Sequence, residues 1–346
     1  MKIRRPTITF WRRTGQLFFF ILFVYGGMIF RTELKTDPVL PKLTAPDGMP
    51  STTRLDKSSI LWANDDPPVI DAYPPGATCR YNPKGGLVKA CIVHMLSENL
   101  TWRTKLAYTL PPLLLFIAAA FLAGRWWCGW VCPLGTIGDV LGYARKKLRL
   151  GYIDLGRNVG NTLRGASHFL FWSTVGISWL NGYRYFENVR CYLYLPYCQL
   201  CPARIMCPLF GLSMPLWRDF TNSITSVFTV LSWGTLVLFL AAFVVGRRVW
   251  CRICPIGLVT SWFNRGSMLE LRKNSEECNR CTACVDACPM GNTHVREKHE
   301  KYINHPDCIF CLRCVEQCPR DRCLSLKFAG ITLNRSSFRN SCHNRL

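Results

Sequence analysis

Apolar residues in this chain gather into uninterrupted runs at roughly 15–31, 106–124, 166–182 and 224–246, with basic and cysteine-rich stretches between them. Each run is close to the roughly 20 residues a helix needs to cross hydrocarbon, so each predicts a transmembrane helix. The second, LAYTLPPLLLFIAAAFLAG, and the fourth, ITSVFTVLSWGTLVLFLAAFVVG, carry no charged residue. A water-exposed helix of that length rarely tolerates such a composition. The first run follows Arg12 and Arg13, and no small-residue cleavage site comes after it, so it reads as an uncleaved anchor and not a signal peptide. The third holds His168 and Asn181 near its ends. A buried soluble helix is the alternative there.

Charge orients the spans. Lys2, Arg4, Arg5, Arg12 and Arg13 precede the first, Arg145, Lys146, Lys147, Arg149, Arg157 and Arg164 lie between the second and third, and Arg247, Arg248 and Arg252 follow the fourth. By the positive-inside rule these flanks are cytoplasmic. The expectation is a multi-pass protein of the inner (cytoplasmic) membrane with both termini in the cytoplasm. The net charge of +22 on 346 residues sits at the ends of apolar runs and forms no aromatic-interleaved basic face. That excludes nucleic acid as the expected partner and favours lipid headgroups. Residues 1–265 are expected to form the membrane domain, 266–330 a soluble domain and 331–346 a basic tail that meets headgroups or an acidic redox partner through Arg335, Arg339 and Arg345.

The chemistry lies in the 20 cysteines. Cys278, Cys281, Cys284 and Cys288 stand before Pro289, and the same spacing returns as Cys308, Cys311, Cys314 and Cys318 before Pro319. This is the signature of bacterial two-cluster ferredoxins, in which one tight loop wraps three corners of a cubane and the fourth ligand crosses over. It assigns Cys278, Cys281, Cys284 and Cys318 to one 4Fe-4S cluster, and Cys308, Cys311, Cys314 and Cys288 to another. Zinc sites bring two cysteine pairs across a longer gap, and a cytosolic domain does not keep disulfides. Two adjacent clusters describe a wire for single electrons.

A second pattern lies at the membrane edge. GRWWCGWVCPLG at 124–135 and GRRVWCRICPIG at 246–257 each close an apolar run with Gly-Arg, then Trp, Cys, Cys-Pro and Gly. The chain therefore reads as two copies of one unit, packed as parallel repeats about an axis along the membrane normal. Cys128, Cys132, Cys251 and Cys254 would meet at the cytoplasmic face, where one shared 4Fe-4S cluster is the simplest cargo. Structural cysteines and a dithiol switch are the competing readings. Pro133 and Pro255 are expected to end the turns, and Trp126, Trp127, Trp130 and Trp250 to anchor in the interfacial belt.

The order of four spans, WCGWVCPLG, WCRICPIG and the two ferredoxin boxes resembles the NapH/MauN type of membrane ferredoxin and its relatives, the NosR regulators of nitrous-oxide reduction and the cytochrome-oxidase assembly ferredoxins. The likeness covers most of 1–325. It implies an electron-transfer subunit that draws on the quinone pool, often as a quinol dehydrogenase component, together with haem or iron-sulfur partner subunits. The expected fold is then an α-helical integral membrane protein with a two-fold internal repeat and a C-terminal α+β bacterial-type ferredoxin domain. A different class, an iron-sulfur assembly or regulatory protein that reduces a metal or thiol during maturation of another enzyme, stands as the alternative.

Six outer cysteines depart from that family picture. Cys191, Cys198, Cys201 and Cys207 could hold a further cluster that extends the wire, or an oxidising compartment could pair them as disulfides; Cys79 and Cys91 read as a disulfide. Cys323 and Cys342 have no partner by spacing and read as free thiols. Haem is expected only in partners, because no Cys-x-x-Cys-His occurs and no span holds two histidines.

Overall fold

The computed structural model describes residues 7–29, 106–149, 157–180, 200–210, 223–298 and 301–337, with the isolated positions 75, 93, 151 and 197. Four long helices occupy the four apolar runs: α1 (Ile8–Ile29), α2 (Leu106–Ala123), α5 (Arg157–Leu180) and α7 (Ser223–Val245). By length and composition, Ser226–Phe243 within α7 is long and apolar enough to cross a membrane, and Leu113–Ala123 is a shorter apolar helix. Large apolar side chains stand exposed on all four, among them Phe18 and Ile21, Leu114 and Phe121, Trp172 and Trp179, and Val230 and Val237.

Short elements follow the apolar helices. Gly124, at φ 54°, ends α2 with its N–H donating to the Ala120 carbonyl at 2.7 Å, a conformation that glycine adopts without Cβ strain. The chain then forms α3 (Trp126–Trp130) and α4 (Pro133–Lys147). After α7 the same succession appears as α8 (Trp250–Ile253) and α9 (Pro255–Phe263). Each proline therefore opens a helix, where the turn reading had it ending one. The ring fixes φ for the first helical residue, lacks an N–H that would go unpaired there, and pushes the residue before it to extended backbone. Cys254 accordingly caps α9 at φ −63°, ψ 124°.

The C-terminal part carries an antiparallel sheet in the order β1 (Leu269–Lys273), β2 (Leu324–Phe328), β3 (Ile331–Arg335). Between β1 and β2 lie α10 (Ala283–Asp286), α11 (His294–Glu297) and α12 (Arg313–Gln317). Leu269, Leu271, Leu324 and Leu326 turn one sheet face into a core shared with Val295, Ile303, Phe310, Leu312 and Val315. β3 lies in the stretch expected to be a basic tail. Ala329 and Gly330 both take positive φ (46° and 85°) in a two-residue turn, and Phe328 pairs with Ile331 across it.

The chain divides into two compact units. Met1–Phe20, Phe116–His168 and Ala241–Leu346 form the first, which holds both Cys-Pro turns and the sheet; Ile21–Leu115 and Phe169–Leu240 form the second. In the second, α6 (Ala203–Phe210) brings the buried Arg204 against α7, where its Nη1 donates to the Phe228 carbonyl at 3.2 Å and Ser232 Oγ at 3.0 Å.

Candidate metal centre

The two cysteine loops of the soluble part are built alike. Two and four residues after the first cysteine the backbone enters the left-handed region: Arg280 (54°) and Thr282 (63°) in one loop, Phe310 (45°) and Leu312 (60°) in the other. None is glycine, so each costs on the order of 1 kcal/mol. Left-handed residues between right-handed ones turn successive N–H groups inward, the backbone form that surrounds anions and iron-sulfur centres. One such N–H, of Asn292, reaches Cys288 Sγ at 3.4 Å.

Electrostatics sorts the thiols into sets. Burial pushes Cys284 up to about 11, and Cys318, Cys281 and Cys278 add to it, so its fourth neighbour comes from the other loop. Burial likewise holds Cys314 well above its usual range, reinforced by Cys311, Cys308, Cys288 and also Cys284. Cys308 is pushed up to about 12 by burial, with Cys311 and Cys288 adding and a hydrogen bond from the Phe310 backbone opposing. A third set forms at the Cys-Pro turns: burial raises Cys132, then Cys128, Cys251 and Cys254 raise it further. Thiols that hold one another protonated release those protons when metal takes their place. Among the described residues no three His, Cys, Asp or Glu side chains converge closely enough for a single metal ion. In a cubane each thiolate binds its own iron, so its donors stand further apart.

The three sets are contiguous. Cys284 raises Cys314 across the first two, and Met290, Ile309 and Cys311 form a buried cluster against which Cys128, Cys251 and Cys288 pack. A Cβ on Gly129 would lie 2.5 Å from the Ile309 carbonyl oxygen, so only glycine lets the Cys-Pro turn approach that loop so closely.

Buried polar side chains join these parts. Asn264, with 0% of its surface exposed, donates through Nδ2 to the carbonyls of His305 (2.9 Å), Pro306 (3.1 Å) and Cys308 (2.7 Å), and accepts the Arg125 N–H at 2.7 Å. Arg125 pairs with Asp307 at 3.2 Å, and Arg248 and Arg12 pair with Asp139 at 2.6 and 2.9 Å. Trp130 Nε1 donates to the Phe310 carbonyl at 3.0 Å, and Trp126 packs on the sheet core. These two tryptophans therefore hold protein to protein, in place of the interfacial anchoring expected of them. Ser167 Oγ donates to the Cys254 carbonyl at 3.4 Å, and His168 stacks on Trp262 with centroids 6.4 Å apart.

A family profile described as "4Fe-4S binding domain" matches residues 110–151 and 226–274, and one described as "4Fe-4S dicluster domain" matches 270–319. The chain is 27% identical over 222 residues to the regulatory protein NosR of Stutzerimonas stutzeri. It is 26% identical over 169 residues to the methylamine utilization ferredoxin-type protein MauN of Methylobacillus flagellatus, and 25% over 189 residues to the ferredoxin-type protein NapH of Haemophilus influenzae. The chain is a polyferredoxin of the NapH/MauN type, related to NosR. The matches cover 62%, 48% and 52% of this polyferredoxin, and 26%, 48% and 55% of NosR, MauN and NapH respectively. No solved structure matches.

Of this polyferredoxin's outer cysteines, Cys79, Cys91, Cys191 and Cys198 lie outside the described residues, as does Cys342. Cys201 stands half-buried just before α6, and Cys207 lies in that helix with its side chain outside the described set. Cys323, expected to be a free thiol, is buried and hydrogen-bonded to Cys318 and Cys278. That bond draws Cys318 down to about 6, against the effect of burial. Arg125, Arg248, Asp139, Asp307 and Asn264 also escaped the sequence reading. The Gly-Arg likeness of the two motifs was a signal for the arginines, but it placed Arg247 opposite Arg125. Counted back from the first cysteine, as the Cys128 N–H to Arg125 carbonyl and Cys251 N–H to Arg248 carbonyl bonds (3.0 and 3.1 Å) require, the counterpart is Arg248.

Proposed function

We propose that this chain is a membrane-embedded iron-sulfur protein that carries single electrons between the quinone pool and a partner redox enzyme, as part of a quinol dehydrogenase module. The observation that carries the reading is the series of three contiguous four-thiol sets. Cys278, Cys281, Cys284 and Cys318 would hold one 4Fe-4S cluster, Cys308, Cys311, Cys314 and Cys288 the second, and Cys128, Cys132, Cys251 and Cys254 a third. The donor chemistry fits, since soft thiolates in fours, buried and free of competing carboxylates within each set, suit a cubane. Buried cations at the third set fit as well: Arg12 Nε and Nη1, Arg125 Nε and Arg252 Nε are buried without a hydrogen-bond acceptor, and an anionic cofactor would answer them. Such a cluster, when bound, supplies a one-electron carrier.

The chain's own residues prepare the path. The left-handed loops aim N–H groups at the cysteines, which stabilises the thiolate form. Ile309, Phe310 and Met290 are each 1% exposed and keep water from the junction of the second and third sets. Low exposure there limits the reorganisation of solvent that accompanies each electron.

Four transmembrane helices in two repeated halves are part of the proposal. Exposed apolar side chains on α1, α2, α5 and α7 support it, as does the match of one family profile to both halves. So does the hydrogen bonding of Thr9, at the start of α1, to Glu316 in α12, which fits a common side for both ends of the chain.

Iron and acid-labile sulfide per chain test the assignment. About twelve irons are expected in anaerobically purified protein, falling to about eight in Cys128→Ala and Cys251→Ala. About eight irons in the unaltered protein would confine clusters to the ferredoxin loops. Quinol-dependent reduction of those clusters in membranes tests the quinone link, and its absence would remove the quinol role.

A further inference from the structure

The two Cys-Pro turns exchange arginines. Arg125, three residues before Cys128, donates through Nη2 to the carbonyl of Cys251 at 2.6 Å, in the other turn. Arg248, three residues before Cys251, returns the contact through Nη1 to the carbonyl of Cys128 at 3.3 Å, and its Nη2 reaches the Gly135 carbonyl at 3.0 Å. Glycines keep room for both: a Cβ on Gly257 would lie 2.8 Å from Arg125 Nη2, and one on Gly135 would lie 2.6 Å from the Cys128 carbonyl oxygen. Both side chains are 2% exposed. Arg125 interacts electrostatically with Cys128, Cys251 and Cys254, and Arg248 with Cys251.

Burying a guanidinium is costly unless it is paired. Here Arg12, Arg125 and Arg248 are buried beside two carboxylates, Asp139 and Asp307, so one fixed positive charge is left over at the thiols. Arg125 Nε points at no acceptor. A carbonyl staple alone would not need cations: a neutral donor bonds a carbonyl without the desolvation penalty. Two guanidiniums crossed over four cysteines instead place permanent charge where an added electron would sit.

We propose that Arg125 and Arg248 form a crossed pair that supplies the fixed positive charge setting the reduction potential of the cluster held between the two turns. The proposal rests on the third cluster assigned above. Reduction adds one negative charge in a buried, poorly screened site, so a nearby cation favours the reduced state and a nearby carboxylate opposes it. Asp139 and Asp307 trim the effect, and Asp307 does so one residue before Cys308 of the second set.

The test uses the full chain purified anaerobically, with iron and sulfide counts and an EPR-monitored redox titration of Arg125→Gln, Arg248→Gln, Arg248→Lys and Asp139→Asn. With about twelve irons retained, both Gln variants should lower the reduction equilibrium of the third couple at least about tenfold, which is about 59 mV for one electron. Asp139→Asn should raise it, and Arg248→Lys, which keeps the charge, should lie within about threefold of the unaltered protein. A merely structural pair would move the Arg and Asp variants in one direction or leave the potential unmoved, and either result overturns the proposal. Where a Gln variant loses iron, the upward shift of Asp139→Asn decides alone. About eight irons in the unaltered protein would remove the third cluster itself, and with it this role for the arginines.

Discussion

Cys323 touches two cysteines of the first set, Cys318 and Cys278, as a thiol that donates a hydrogen bond to charge. Donors to cluster sulfur raise reduction potentials, and one such bond is worth about 1 kcal/mol, or about fivefold in the equilibrium. Cys323→Ala should therefore lower the first couple by about that factor with iron content unchanged, as a redox titration would show. His305 makes a separate prediction. Its Nδ1 accepts the Asp307 N–H at 3.1 Å, and burial, assisted by His294, Arg164 and Arg265, draws its pKa down from 6.5 to about 4 despite Asp307. The folded chain thus binds this proton less readily than the unfolded one, so its contribution is whole above pH 6.5 and is lost as pH falls towards 4. His305→Gln should flatten that loss in thermal melts at pH about 7 and about 5. The proposed cluster ligands were legible because their chemistry is written in spacing over a few residues. Cys323 and the crossed arginines were not, because their roles depend on partners that only folding brings near: Arg125 and Cys251 are 126 positions apart.

At the scale of elements, α9 earns its importance at its end. Asn264 caps that helix and reaches three carbonyls of the loop before Cys311, a loop that has no sheet to support it. Asn264→Ala would leave buried carbonyls without a donor, at about 1–3 kcal/mol for each group that water does not reach. The expected result is a lower melting temperature and faster protease cleavage between 298 and 308, with the melting curve and the cleavage map as checks. Long helices announced themselves as apolar runs, whereas β3 did not. Its residues Ile331, Leu333 and Arg335 are exposed and give no buried face to read, and Ala-Gly is a weaker hairpin signal than Asn-Gly. The short helices α3 and α8 were hidden for another reason: four or five residues cannot display a helical period.

For the whole molecule, a boundary at 265 separated by composition what contact joins. The compact unit that holds the sheet also takes in Met1–Phe20 and Phe116–His168, because Thr9, Asn264, Arg125 and Trp130 all bond into it. Composition follows solvent, and a junction built from glycine, buried arginine and backbone carbonyls has no apolar signature. The proposed topology predicts that epitope tags before Met1 and after Leu346 are shielded in intact cells and reached in inverted vesicles; protection of only one would break the four-span scheme. Gly129 carries a last consequence. The residues that adjust charge act on equilibria, but the missing side chain at 129 governs how far apart two carriers stand. A methyl group there must push the Ile309 carbonyl away, so Gly129→Ala would act as a throttle, slowing the passage of electrons between turn and loop while both midpoints stay where they were.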